Sequence, residues 1–329
     1  MNEGPPHDPA VPAPSAASAS AAPSPPSLPP APAPPTPAPV ADVFLAYAVA
    51  MFAGIVAIVA VIVAVVLVRM AQGHAPESIQ QWLTTSPAVA LVLTNTPFQL
   101  ACFSVALLWR WHRGKTPARR HLAIVSPGLS PAQWLVVLVA GGVPFALSLV
   151  AASVLPSLMS TSGLTDAWST MPVASAAVWI LYIGLFPGVC EEMLFRGLIF
   201  RRFMRRWGVV ASLAASSTLF AIAHVDPPAM ALAFTLGVWL GYLTWRTGSI
   251  LPSIATHIAV NSLWNLGQIV LRQAGLSEQT NWIIAGVIGV ASLVCFVAAI
   301  KLLSSRPAPA IDGQYMAPLG GTSADATAG

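Results

Sequence analysis

Between Val43 and Leu303 the chain passes through eight apolar runs, at 43–68, 86–109, 132–155, 173–200, 209–224, 228–246, 250–271 and 281–303. Each approaches the length of about 20 mostly apolar residues that a helix needs to cross a bilayer. The fifth run is short and the fourth long, and Val225-Asp226-Pro227-Pro228-Ala229 separates the closest pair with residues that break a helix. The reading is an all-α, polytopic membrane protein: a bundle of eight transmembrane helices.

Composition supports this. Hydrophobic residues make up 56% of the 329 and charged residues only 8%, against about a quarter charged in soluble domains. The net charge of +4 does not point to nucleic acid, because the basic residues gather in short segments between the apolar runs. Such clusters orient a chain in a membrane. With the N-terminus inside, the cytoplasmic side holds Arg110, Arg113, Lys115, Arg119, Arg120, Arg201, Arg202, Arg205, Arg206, Arg246, Lys301 and Arg306, while the other side holds Arg69 and Arg272. That asymmetry places both termini in the cytoplasm, in what is most simply a bacterial inner membrane. Cys102, Cys190 and Cys295 lie in apolar runs without paired spacing, so they read as packing residues.

Residues 1–41 are almost wholly Pro, Ala and Ser. They cannot bury enough apolar surface to offset their ordering entropy, and a disordered cytoplasmic tail is expected. The stretch lacks the basic start and continuous apolar core of a signal peptide, so it is expected to be retained. Residues 305–329 read as a second disordered tail. Between the tails, 42–170 holds the first three helices, 171–271 a core rich in unusual polar residues, and 272–304 the last helix.

Those polar residues are the functional signal. Glu191, Glu192, Arg196, His224 and His257 lie within apolar runs, where a charge costs about 2.5–3.5 kcal/mol on insertion scales. In "VCEEMLFRGLIF", Glu192 and Arg196 are four apart and share a helix face, so they can pair. Glu191 is rotated by about 100° from that face. It is left without Arg196, as suits a general base. A salt bridge at a helix end would explain Glu192 and Arg196 but not Glu191. In "SILPSIATHIAVNSLWNLGQIVL", Ser253, His257, Asn261 and Asn265, with Gln268 nearby, form a polar stripe. A stripe alone reads as interhelical glue, whereas His257 and Asn261 one turn apart could both donate to one oxygen. His224 alone carries little weight at a helix end. At about 1.5 Å per residue it should also lie about 14 Å deeper than His257, unless its helix is tilted or begins late.

Together these side chains suffice for water attack on a peptide carbonyl. Glu191 would take the proton, His224 would orient or share it, and His257 with Asn261 would stabilise the oxyanion. Alternatively Glu191, His224 and His257 would hold a divalent ion such as zinc. No HExxH is present and one ligand per helix is a weak metal signature, which favours the metal-free route. No GxSxG elbow stands in the chain, which argues against covalent catalysis. The rival from another class is a proton- or ion-coupled transporter, but no inverted repeat accompanies the polar residues.

"EEMLFRG", "FAIAH" and "HIAVN" resemble, in order and spacing, the EExxxR, FxxxH and HxxxN motifs of the CPBP family, the CAAX-processing and bacteriocin-processing (Abi) intramembrane proteases. The resemblance covers residues 173–270. It implies an eight-helix endopeptidase with a cavity open to the cytoplasm and a membrane-associated protein or peptide as substrate. It makes Glu191 the base, His224 its partner, His257 and Asn261 the oxyanion or water-holding pair, and Glu192 and Arg196 supporting residues. Both metal-dependent and metal-free mechanisms are argued for such proteins. A non-catalytic immunity or binding scaffold is the family's other outcome, disfavoured by the presence of every motif residue.

Overall fold

The computed structural model describes Met1, Gly4 and residues 40–111, 121–147 and 173–307. The two tails and the loop at 156–170 lie outside the described residues, as does the end of the third apolar run. The chain divides between Thr36 and Pro37, and all elements named here belong to the second unit.

Among the described residues every regular element is helical. In order they are α1 (Ala41–Ala71), α2 (Pro76–Thr85), α3 (Pro87–Trp111), α4 (Pro131–Ala140), α5 (Val173–Glu192), a π-helical segment (Met193–Phe200), α6 (Arg201–Ile222), α7 (Pro227–Thr247), α8 (Leu251–Gln273) and α9 (Glu278–Ser304). Several starts are written locally. Ser130 and Gln133 form a reciprocal capping box ahead of α4. Asp226 accepts from the Ala229 amide ahead of Pro227 in α7, and Ser277 from the Thr280 amide in α9. Gly248 ends α7 in the left-handed region, at φ 65°.

Four described helical stretches are long and apolar enough to cross a membrane: Ala41–Ala71, Val89–Trp109, Ala176–Ile222 and Gln279–Ser304. A shorter apolar helical stretch is Pro131–Leu147. The outer helices turn large apolar side chains outward, with Phe52 of α1 72% exposed and Val287 of α9 65% exposed. The π segment is buried all round. Apolar residues outside and charged residues inside are what a hydrocarbon solvent selects, and this is the pattern of an integral membrane protein.

The fourth and fifth apolar runs of the sequence are one continuous helical stretch here, broken only at Gly208. Its φ of 72° and ψ of −175° suit a residue without Cβ, and the helix resumes at Val209. A second feature escaped the sequence pattern: Met193–Phe200 is π-helical rather than α-helical. The wider turns change the register, so the face that α5 presents before Glu192 is not continued by α6 after Phe200. Pi turns of this kind cluster at functional sites.

Of the four apolar clusters among the described residues, two are large. One gathers Ala46, Cys102, Leu194, Phe195, Ile199 and Phe220 from α1, α3, the π segment and α6, and the other joins Val137, Leu240, Val260 and Leu303 from α4, α7, α8 and α9. Polar contacts tie several ends together. Arg202 pairs with Asp42 at 2.5 Å, and Arg201 donates to the His121 carbonyl. Arg246 donates to the carbonyls of Leu303 and Arg306, and Arg306 to those of Pro127 and Gly128. The start of α1, the start of α6, the segment before α4 and the ends of α7 and α9 therefore meet through residues that the sequence assigns to one side of the bilayer.

Candidate active site

The site starts from how closely α5 and α8 approach. Gly184 and Gly188 are four residues apart and face α8. A Cβ on Gly188 would lie 2.6 Å from Ile258 Cγ1 and 3.2 Å from its backbone nitrogen, and one on Gly184 would lie 2.1 Å from Ser262 Oγ. Small residues at this spacing let two helices touch backbone to backbone. The contact brings the last turn of α5, with Glu191 and Glu192, against the face of α8 that bears His257. Between the two glycines sits Pro187, which has no N–H to donate to the Ile183 carbonyl one turn earlier. The Asn261 side-chain amide donates to that carbonyl at 3.4 Å.

Glu192 is completely buried. Its Oε1 accepts from Arg196 Nη1 at 2.8 Å and from His257 Nδ1 at 2.9 Å. Arg196, 1% exposed, also donates to the Gly237 carbonyl at 3.2 Å. Its guanidinium carbon stands 4.3 Å over the Phe220 ring, a contact worth about 2 kcal/mol when desolvated. The carboxylate and the guanidinium thus both have further partners, as burial of an ion pair requires. The His257 proton on Nδ1 is committed to Glu192, which leaves Nε2 as the working atom of that ring.

Nε2 lies 3.8 Å from Glu191 Oε2. Glu191 is itself buried. Its Oε1 accepts from Gln99 Nε2 at 2.6 Å, whereas Oε2 has no hydrogen-bond partner among the described residues. The two adjacent carboxylates therefore have different surroundings. Each leaves one buried oxygen, Glu191 Oε2 and Glu192 Oε2, without a hydrogen-bond partner among the described residues. What differs is that Arg196 and His257 both engage Glu192 Oε1, whereas Glu191 Oε2 lies beside the far nitrogen of the same imidazole.

His224 stands in the turn after α6. Its Nδ1 is 2.9 Å from the Phe220 carbonyl, which makes Nδ1 the protonated nitrogen and leaves Nε2 available. Its ring packs edge-on with Phe220 at 4.9 Å between centroids, and Phe220 packs in the same manner with His257 at 5.8 Å. One phenylalanine therefore touches both histidines and Arg196. The two histidines thus meet one ring although the helix leading to His224 restarts at Val209, where the fifth apolar run begins.

Glu191, Glu192, Arg196 and His257 come together directly; His224 joins them only through Phe220. Asn261 contacts the Ile183 carbonyl, so its amide does not share one acceptor with His257. Ser253 bonds Thr244 and the Leu240 carbonyl of α7 and so acts as interhelical glue, whereas Asn265 bonds the Asn261 carbonyl within α8 itself. Among the described residues no three His, Cys, Asp or Glu side chains are grouped so as to hold a metal ion, and His224 reaches Glu191 and His257 only by way of the Phe220 ring. Cys102 and Cys190 are buried and free.

Sequence reasoning missed Gln99 and its partner Asn95, whose Oδ1 accepts from Gln99 Nε2 at 3.0 Å. They are uncharged, so they lack the insertion cost that marks an ionisable residue inside an apolar run. The available signal was a pair of amides one turn apart in the apolar run "LVLTNTPFQLACF".

Residues 173–263 match the family model described as Type II CAAX prenyl endopeptidase Rce1-like. Among curated proteins and among solved structures, none matches this chain. The matched stretch contains Glu191, Glu192, Arg196, His224, His257 and Asn261 and leaves out α3 with Gln99. The segment that builds most of the site, residues 173–263, is of the CPBP and CAAX-protease family.

Proposed function

We propose that this chain is an intramembrane endopeptidase that hydrolyses a peptide bond of a membrane-associated protein or peptide, using water activated by Glu191. The observation that carries the reading is Glu191 Oε2, buried and without a hydrogen-bond partner among the described residues, 3.8 Å from His257 Nε2. A water within reach of both atoms is oriented by His257 and gives its proton to Glu191 as its oxygen attacks the carbonyl carbon. The carbonyl π electrons move to oxygen, where the second amide proton of Asn261 is a donor. Collapse of the tetrahedral intermediate breaks the C–N bond, and the proton held by Glu191 passes to the leaving amine. His224, half-buried beside the same phenylalanine, shares or relays that proton through Nε2. Glu192 holds His257, and Arg196 holds Glu192.

The wider reading includes eight membrane spans, both termini in the cytoplasm and a cavity open to that side. The convergence of Arg201, Arg202, Arg246 and Arg306 contacts at helix ends supports it. The matched family's name makes a farnesylated peptide ending in a CAAX sequence the first substrate to try.

The test is cleavage of that peptide, and of its unprenylated twin, by the purified protein in lipid nanodiscs. Wild type is expected to cleave at least one, Glu191→Gln neither, and Asn261→Ala about 10²–10³-fold more slowly, the scale of a lost oxyanion donor. Full activity in Glu191→Gln would remove Glu191 as the base. Proton or ion flux into proteoliposomes without cleavage would favour the transporter.

A further inference from the structure

We propose that Gln99 of α3 is a positioning residue for Glu191, holding Oε1 so that Oε2 is the oxygen presented to the substrate water. The inference rests on the reading of Glu191 as the base and adds a helix that the family match does not cover.

Gln99 is 2% exposed. Its nitrogen has two protons, and both are used: one on Asn95 Oδ1 at 3.0 Å, the other on Glu191 Oε1 at 2.6 Å. Both neighbours are acceptors, so the amide is oriented with its nitrogen between them; the reverse orientation would set oxygen against oxygen. Asn95 stands one turn before Gln99 on the same face of α3. It braces the amide from the side away from Glu191.

The consequence is an inequivalence within one carboxylate. A free carboxylate can offer either oxygen by rotation about its last bond. Here a charge-assisted hydrogen bond, about twice as strong as a neutral one, ties Oε1 to α3. A half-turn only exchanges two equivalent oxygens, but rotation out of this plane would break that bond and leave a buried amide proton unsatisfied. Oε2 is thereby kept beside His257 Nε2. The buried, one-sided contact distinguishes Gln99 from the polar glue of α8, whose bonds end on backbone carbonyls and hydroxyls away from the carboxylates.

The test has an arm that needs no substrate. Isotope-edited infrared spectra of the full chain in nanodiscs, with glutamate labelled at its carboxyl carbon, identify the Glu191 band by its loss in Glu191→Gln. That band is expected to shift in Gln99→Leu and, should Leu fail to fold, in Gln99→Met. An unmoved band in a folded variant overturns the proposal. The second arm uses the farnesylated CAAX peptide. There, kcat should fall about 10²-fold in Gln99→Leu, as for a catalytic group displaced by about an ångström, with KM within about twofold. A smaller fall is expected in Asn95→Ala and none in Leu108→Ala, whose side chain is 58% exposed. A rise in KM with kcat unchanged would also overturn it. If wild type cleaves nothing, the endopeptidase reading fails while the infrared arm still decides whether Gln99 holds Glu191.

Discussion

Glu191 and Glu192 are chemically identical, consecutive and both buried, so their difference lies wholly in what surrounds them. Glu192 Oε1 takes donors from Arg196 and His257, and removing its charge leaves the Arg196 guanidinium buried over Phe220 without a counter-ion. Breaking a buried pair from one side costs about 3–5 kcal/mol. Glu192→Gln should therefore lower thermal stability strongly, and it should also slow turnover because His257 loses its orienting acceptor. Glu191→Gln, by contrast, keeps a hydrogen-bonding group of the same size beside Gln99 and should melt close to wild type while losing turnover. Melting curves and cleavage rates on the two variants check this. A Glu192→Gln protein as stable as wild type would show that Arg196 does not depend on Glu192.

At the scale of elements, the contact of α5 with α8 decides whether a site exists. Gly184 and Gly188 remove the Cβ atoms that would hold the helices apart, and Pro187 between them frees the Ile183 carbonyl that takes the Asn261 amide. The neighbours of Gly188 include the Ile258 backbone, which cannot swing aside as a side-chain tip can. Gly188→Ala should thus destabilise by about 1–3 kcal/mol, the range for overpacking a filled interior. It should also lower turnover, since a shifted α8 moves His257 away from Glu191. Gly289→Ala on α9, with nothing within 4 Å of the added Cβ, is the control and should leave both unchanged. Equal melting of the two variants would mean that α5 and α8 are not in backbone contact. The π segment that follows Glu192 is the other element-scale device. It changes the helical register just where Arg196 must reach Glu192, Gly237 and Phe220 together.

For the whole molecule, the contacts draw together helix ends that the basic asymmetry leads one to expect on a single side of the bilayer. Asp42, Arg202, Arg246 and Arg306 link helix ends that the basic asymmetry assigns to the cytoplasm, and Arg69, assigned to the other side, packs instead over Trp82 of α2 at 4.3 Å. Reporter fusions after Ser305 should accordingly report cytoplasm, and fusions within 156–170 the opposite compartment. A C-terminal reporter active only outside would overturn the topology.

Much of this was legible in the sequence because hydrocarbon is an unforgiving solvent. Apolar runs, basic flanks and breakers such as Asp226-Pro227-Pro228 mark where helices lie, and an ionisable residue inside a run must have a reason. Glu192 with Arg196 followed from helical spacing alone, whereas Glu191, expected to point away from that pair, lies against the same His257 that bonds Glu192. Three matters were decided only by tertiary structure. Gln99 became part of the site because α3 packs beside α5, a juxtaposition no local pattern encodes and no charge advertises. His224 and His257 meet on the one Phe220 ring, a contact between elements that counting residues along each helix argued against. The π turn at Met193–Phe200 arose where α-helical periodicity would have been the default. Local spacing determines which side chains share a face; only the packing of one helix on another determines which faces meet.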